Sequence, residues 1–294
     1  MISLPLTPTS ATVHDLLCDD LGCGNYYLWG WQGGGYLTLP TTPPGCQSTT
    51  LSMQDGYWLL AQAATLDIVG TPASGDHAIP LQTGWNMVAA PYEATLDSLK
   101  VDYSSVVISL ADAQTLGWVL ATFYYSHDGS GSYSTVTIGE TPEDTLSSWY
   151  GYWVLAGVDC SLIVPPPTGG AGATAIRAAQ PARAQPAWAF DVRARCGSSE
   201  DSITIAAADS ASDSFDGFAL DRPKPPAAPG EGRLRMVLRG KGGRGRASPP
   251  YNKAPGRQMP WSSELAMETK SATQQDVKTS SGTSPSPAGS RARR

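Results

Sequence analysis

Apolar and polar residues alternate with a period of two over many short stretches of this chain, the spacing of strands with one face turned to a core. Tyr27, Trp29 and Trp31 share a face, as do Leu66 and Ile68, and again Trp85, Met87 and Ala89. The pattern returns at Trp188 to Ala194, Ser202 to Ala206 and Arg233 to Leu238. Between these runs stand frequent turn signals: Gly33-Gly34-Gly35, Gly70-Thr71-Pro72, Gln82-Thr83-Gly84 and Asp128-Gly129-Ser130-Gly131. Strands of this length with closely spaced turns predict antiparallel sheets in a sandwich or barrel. Helical patterning is sparse, and only Ser10 to Leu17 and Thr95 to Leu99 read as short helices. Beyond Gly240 no apolar period survives, and Gly, Ser, Pro, Lys and Arg dominate. That composition predicts disorder. A change of reading frame would write the same residues, and the sequence does not separate the two causes.

The alternation is also written twice. Gly56-Tyr57-Trp58-Leu59-Leu60-Ala61 returns as Gly151-Tyr152-Trp153-Val154-Leu155-Ala156, and Met1-Ile2-Ser3-Leu4-Pro5 has a counterpart in Met87-Val88-Ala89-Ala90-Pro91. The two helical stretches fall at equivalent places after these openings. Copying of one supersecondary unit is the simplest source of such a doublet. The expected architecture is all-β: copy one at 1–72, copy two at 73–167, an Ala/Pro/Gly linker at 168–187, a partial β-sandwich at 188–238 and a disordered basic tail at 239–294. Successive prolines at Pro165-Pro166-Pro167 close the second copy, since they withdraw ladder donors.

Charge changes the picture by exclusion. Residues 1–165 carry a single cation, Lys100, beside 15 carboxylates. Nucleic-acid binding needs clustered Lys and Arg, so no nucleic-acid partner is expected for the repeats. Gly240 to Arg246 resembles an RGG-type segment, yet on an acidic chain it reads as an incidental basic tail. The five cysteines lack a C-x-x-C pair, so no metal site is expected. Cys18 and Cys23 are near enough for a disulfide in an oxidising compartment, or else are buried thiols. No run of about 20 apolar residues suited to a spanning helix occurs.

Candidate chemistry is thin. Each histidine adjoins an aspartate, as His14-Asp15, Asp76-His77 and His127-Asp128, but no nucleophile is signalled beside them. No enzyme activity and no cofactor are expected. The aromatic middles of the copies, with Trp29, Trp31, Trp118 and Tyr124 as candidate glycan-stacking residues, offer flat faces for sugar rings. The competing role is core packing, which large rings usually serve.

Gly84-Trp85-Asn86-Met87-Val88…Pro91, followed by Gly151-Tyr152-Trp153, resembles the GWN…P/GYW β-repeat of large secreted and surface proteins of bacteria. Gly56-Tyr57-Trp58 repeats its closing half. The run from Trp188 through Asp201, Phe215-Asp216 and Asp221 to Pro225-Pro226 resembles the β-module that often follows such repeats. The resemblance implies β architecture, export and a structural or adhesive role, with extracellular polysaccharide or other surface proteins as partners and a carbohydrate-binding module as the alternative. It also implies that Met1 is internal to a longer gene product. Copy one lacks a Gly-Trp-Asn ahead of Met1, and a signal peptide would lie upstream.

Overall fold

The computed structural model describes residues 1–126, 133–139, 144–167, 188–196, 199–207, 223–229, 234–239 and 264–269. The fold is all-β, built from antiparallel sheets with a few short helices between them. In copy one these are β1 (Leu6–Pro8), β2 (Tyr27–Gln32), β3 (Gly35–Leu39), β4 (Trp58–Leu60) and β5 (Gly70–Pro72). Copy two holds β6 (His77–Leu81), β7 (Gly84–Ala89), β8 (Ala94–Thr95), β9 (Lys100–Tyr103), β10 (Val106–Ser109), β11 (Thr122–Tyr125), β12 (Ser134–Thr137), β13 (Thr145–Leu146), β14 (Gly151–Ala156) and β15 (Cys160–Val164). Downstream come the hairpin of β16 (Trp188–Cys196) with β17 (Ser199–Ala207), and an antiparallel pair, β18 (Leu234–Arg239) with β19 (Glu264–Thr269). The expected linker at 168–187 lies outside the described residues, and so does the tail expected from 239 onward, apart from Arg239 and β19. No helix among the described residues is long and apolar enough to cross a membrane.

Copy two wraps two four-stranded sheets, ordered β12-β11-β14-β7 and β10-β9-β15-β6, around one core. Leu96, Leu99, Leu110, Phe123, Val154 and Leu162 are wholly buried there. Copy one repeats the first of these sheets as β3-β2-β4. In it Trp58 lies opposite Trp29, as Trp153 lies opposite Tyr124 in copy two. Its own core gathers Leu4, Val13, Leu17, Tyr26, Leu28 and Cys46.

The two expected helices form with changed bounds: the first starts later and runs on through Asp19–Leu21, past its expected end at Leu17, and the second is shorter. His14–Cys18 makes one wide turn and Leu96–Ser98 a single tight one. Each follows a matched bridge: Thr12 with Thr50, and Thr95 with Thr145. Thr65 to Val69 is extended but unpaired as a strand. Leu66 and Ile68 still pack on the copy-one core, while the ladder forms one step later, between β5 and β1. An additional helix, Leu110–Thr115, starts at Ser109, whose side chain accepts the Asp112 backbone N–H at 3.1 Å. That bond satisfies a donor otherwise left open at the first turn.

Candidate functional site

Two features place the site: the crossing of the repeated strands and the aromatic layer above it. Ile2 pairs with Tyr57 of its own copy and with Tyr150 of the other, and Val88 pairs in the same way with Tyr152 and Asp55. The amide of Gly56 donates to the Met87 carbonyl at 3.0 Å, Ala89 donates to Gln54 at 3.1 Å, and Ser3 donates to Trp149 at 2.9 Å. Reciprocal contacts of this kind define a two-fold relation between the copies. On its axis Gly56 meets Gly151. A Cβ on Gly56 would lie 2.8 Å from the Val88 carbonyl oxygen and 3.2 Å from the Gly151 Cα. One on Gly151 would lie 2.6 Å from the Ile2 carbonyl oxygen. The glycine of each Gly-Tyr-Trp phrase is therefore set by backbone approach.

The tyrosine of each phrase does the same work twice. The Tyr57 hydroxyl accepts the Ser52 amide at 2.7 Å, and the Tyr152 hydroxyl accepts the Ser147 amide at 2.8 Å. Burial pushes both phenols well above the ordinary tyrosine range. Trp58 and Trp153 are buried on the opposite face of their strands, where they meet between the copies.

The other half of the motif closes a turn. Gly84 has φ of +108°, which suits glycine alone. The Asn86 side-chain amide donates to the Gln82 and Gly84 carbonyls at 2.7 and 3.0 Å and accepts the Gln82 amide at 2.9 Å. Asp159 holds the same turn by accepting the Thr83 amide and hydroxyl, each at 2.7 Å, which lowers its pKa. Pro91 is buried at the end of the opening.

Above the crossing lies a layer of rings drawn from both copies. Trp31 and Trp153 meet edge-to-face at 4.8 Å, and Trp85 packs on Tyr124 at 5.7 Å. Tyr36 of copy one packs against Trp153 of copy two at 6.0 Å, and Tyr133 of copy two against Trp58 of copy one at 6.1 Å. The Trp31 indole N–H donates to the Trp85 carbonyl at 2.7 Å. Of the expected glycan-stacking residues, Trp29, Trp31 and Tyr124 belong to this layer, and Trp118 does not: it packs on Tyr103 at 5.0 Å beside the copy-two core. The Tyr27, Trp29, Trp31 face of β2 turns toward this layer, while Leu28 and Gly30 face the copy-one core. Tyr27 stays 63% exposed and stacks on Trp29 at 5.8 Å.

The histidine–aspartate pairs have other employment. Asp15 accepts from Ser10 at 2.5 Å and Thr12 at 2.8 Å and touches His14 Nδ1 at 3.1 Å, and these bonds draw its pKa down to about 2. In an acyl-transfer triad the imidazole stands between hydroxyl and carboxylate. Here the carboxylate stands between, so the hydroxyls have no base. His77 is half-buried, and burial lowers its pKa. The pair at 127–128 lies outside the described residues. Cys18 and Cys23 form a disulfide, and with His14 they place three donor atoms within 4.8 Å of one another. As a disulfide the two sulfurs are unavailable to a metal. Cys46 is a buried thiol, and the half-buried Cys160 thiol is raised to about 11 by burial and by Asp159.

The sequence pattern did not single out Tyr36 and Tyr133. They are nonetheless equivalents, each two residues ahead of a threonine (Thr38, Thr135) that pairs with the central aromatic of its copy (Trp29, Tyr124). Compared with protein-family models, curated proteins and solved structures, the chain matches none.

Proposed function

We propose that this chain is a non-catalytic structural and adhesive module of a secreted or cell-surface bacterial protein, of the GWN…P/GYW repeat kind. The observation that carries this reading is the reciprocal crossing at Gly56 and Gly151. The repeated motif residues close a turn, cap a loop or pack between the copies, and none is left to do chemistry on a substrate. The Cys18–Cys23 disulfide supports export, because disulfides persist outside the reducing cytosol. The acidic, nearly cation-free surface of 1–165 supports a partner other than nucleic acid. Antibody labelling of intact producing cells tests the location. Labelling equal to that of permeabilised cells is expected, and labelling only after permeabilisation would contradict the reading.

A carbohydrate-binding module is the second reading, favoured by one observation. Tyr27 and Trp29 stack nearly parallel, at 17° between their rings, and Tyr27 is largely open to solvent. A polysaccharide array separates the two readings. Binding abolished by Tyr27→Ala without loss of fold would select the second, and the first expects no glycan binding at all.

A further inference from the structure

Residues 223–229, Pro-Lys-Pro-Pro-Ala-Ala-Pro, lie across the aromatic layer. Their geometry follows from the sequence. Each proline fixes its own φ near −65° and bars the preceding residue from the helical region, so Lys224, Pro225 and Ala228 are all held extended. Pro225 and Pro226 also have no N–H, so these two residues present only carbonyl acceptors.

The groove presents donors. The Tyr133 hydroxyl donates to the Pro226 carbonyl at 2.5 Å, and the Tyr36 hydroxyl donates to the next carbonyl, Ala227, at 2.7 Å. These are the two equivalent tyrosines, one from each copy. Tyr133 is itself oriented by the Trp153 indole N–H, which donates to its oxygen at 3.2 Å. Pro225, Pro226 and Ala228 are buried, the last within the cluster that holds Trp58, Met87, Tyr124 and Trp153. Lys224 is ion-paired with Asp201 of β17 and donates to the Ser202 carbonyl at 2.9 Å, tying this segment to the downstream hairpin.

We propose that the aromatic groove on the two-fold axis is a polyproline-recognition site, and that its resident ligand is the chain's own Pro223–Pro229 segment. The chemistry matches on each count. A rigid, extended ligand loses little entropy on binding, its adjacent carbonyls meet paired hydroxyls, and its Ala228 is buried among the aromatic rings. Duplication supplies the pair of donors, which a single copy lacks. Filled in this way, the groove clamps the downstream β-module to the repeats.

The test uses the full chain with residues 223–229 replaced by a Gly/Ser heptapeptide, titrated with the synthetic peptide Pro-Lys-Pro-Pro-Ala-Ala-Pro and followed by tryptophan fluorescence. Saturable binding is expected in the replaced chain. In the original chain it should be at least about tenfold weaker, because a tethered segment competes at an effective concentration near millimolar. Tyr36→Phe with Tyr133→Phe in the replaced chain should weaken binding by about tenfold or more, two hydrogen bonds at the usual net strength. Were the replaced chain not to fold, Ala228→Asp would take its place, putting a carboxylate into the ring cluster while keeping the prolines. The proposal is overturned by a folded, opened chain that shows no saturable change up to about 10 mM peptide, well above that effective concentration. It is overturned equally if a peptide with Gly-Gly in place of Pro-Pro binds as well. A dimer exchanging segments between copies would appear as concentration-dependent mass and would support the same recognition.

Discussion

Replacing Gly56 with alanine places a methyl group where two main chains already touch. The added Cβ would stand 2.8 Å from the Val88 carbonyl oxygen and 3.2 Å from the Gly151 Cα, and no side chain can rotate away to relieve either contact. The Gly56 φ is not in the left-handed region, so the penalty comes from crowding alone. Overpacking of a core costs about 1–3 kcal/mol. Both neighbours here are backbone, and relief would stretch the 3.0 Å bond from the Gly56 amide to Met87, so the upper half of that range applies. Urea unfolding followed by tryptophan fluorescence should show a midpoint lower by about 1 M, given slopes of a few kcal/mol per M. Gly151→Ala should match it, since its Cβ would lie 2.6 Å from the Ile2 carbonyl oxygen. The double variant should lose less than the sum, because both substitutions open the same crossing. Gly35→Ala on β3 is the control, with open space around its Cβ and ordinary φ. If Gly56→Ala unfolds within about 0.5 kcal/mol of the parent, as ordinary surface changes do, the crossing as described is refuted.

Three further outcomes are expected. Tyr57→Phe removes the acceptor of the Ser52 amide and should cost about 1–2 kcal/mol, with Tyr152→Phe alike; equal stability in denaturant melts would show those amides satisfied elsewhere. Reduction of Cys18–Cys23 should destabilise by about 2 kcal/mol, the loop-closure value for so short a loop, and should add 2 Da (two hydrogens) by mass spectrometry; unchanged mass would deny the bond. His77 has a folded pKa below its ordinary 6.5, so the stability it allows is full above 6.5 and is lost as pH falls through that value; a proton NMR midpoint at or above 6.5 would contradict this.

Much of the fold is legible in the chain because its signals are local. Period-two alternation announces strands, and Gly84 and Asn86 announce a turn that their φ and side-chain bonds then explain. The doublet predicts two like units. It does not predict that they would cross, because Gly56 and Gly151 look like any turn glycine until another backbone is placed against them. The Tyr27, Trp29, Trp31 face reads as core, and alternation alone cannot say which of two cores it serves. The Leu110–Thr115 helix was obscured by the apolar run Val106-Val107-Ile108 just before it, although Ser109 with Asp112 carries a capping signal. Tyr36 and Tyr133 escaped because their spacing differs from that of the Gly-Tyr-Trp phrases. The Pro-rich segment at 223–229 reads from the sequence only as part of a loop, because its place on the rings depends on contacts nearly 200 residues away in sequence, such as Tyr36 with Ala227.

Amide hydrogen exchange by NMR tests the reciprocal crossing most directly. The amides of Gly56, Ala89 and Ser3, each bonded to the opposite copy, should be protected as strongly as those within the β7–β14 ladder, and all should exchange through one common opening. Fast exchange at these three amides, with the within-copy ladder still protected, would mean that the copies fold side by side without crossing.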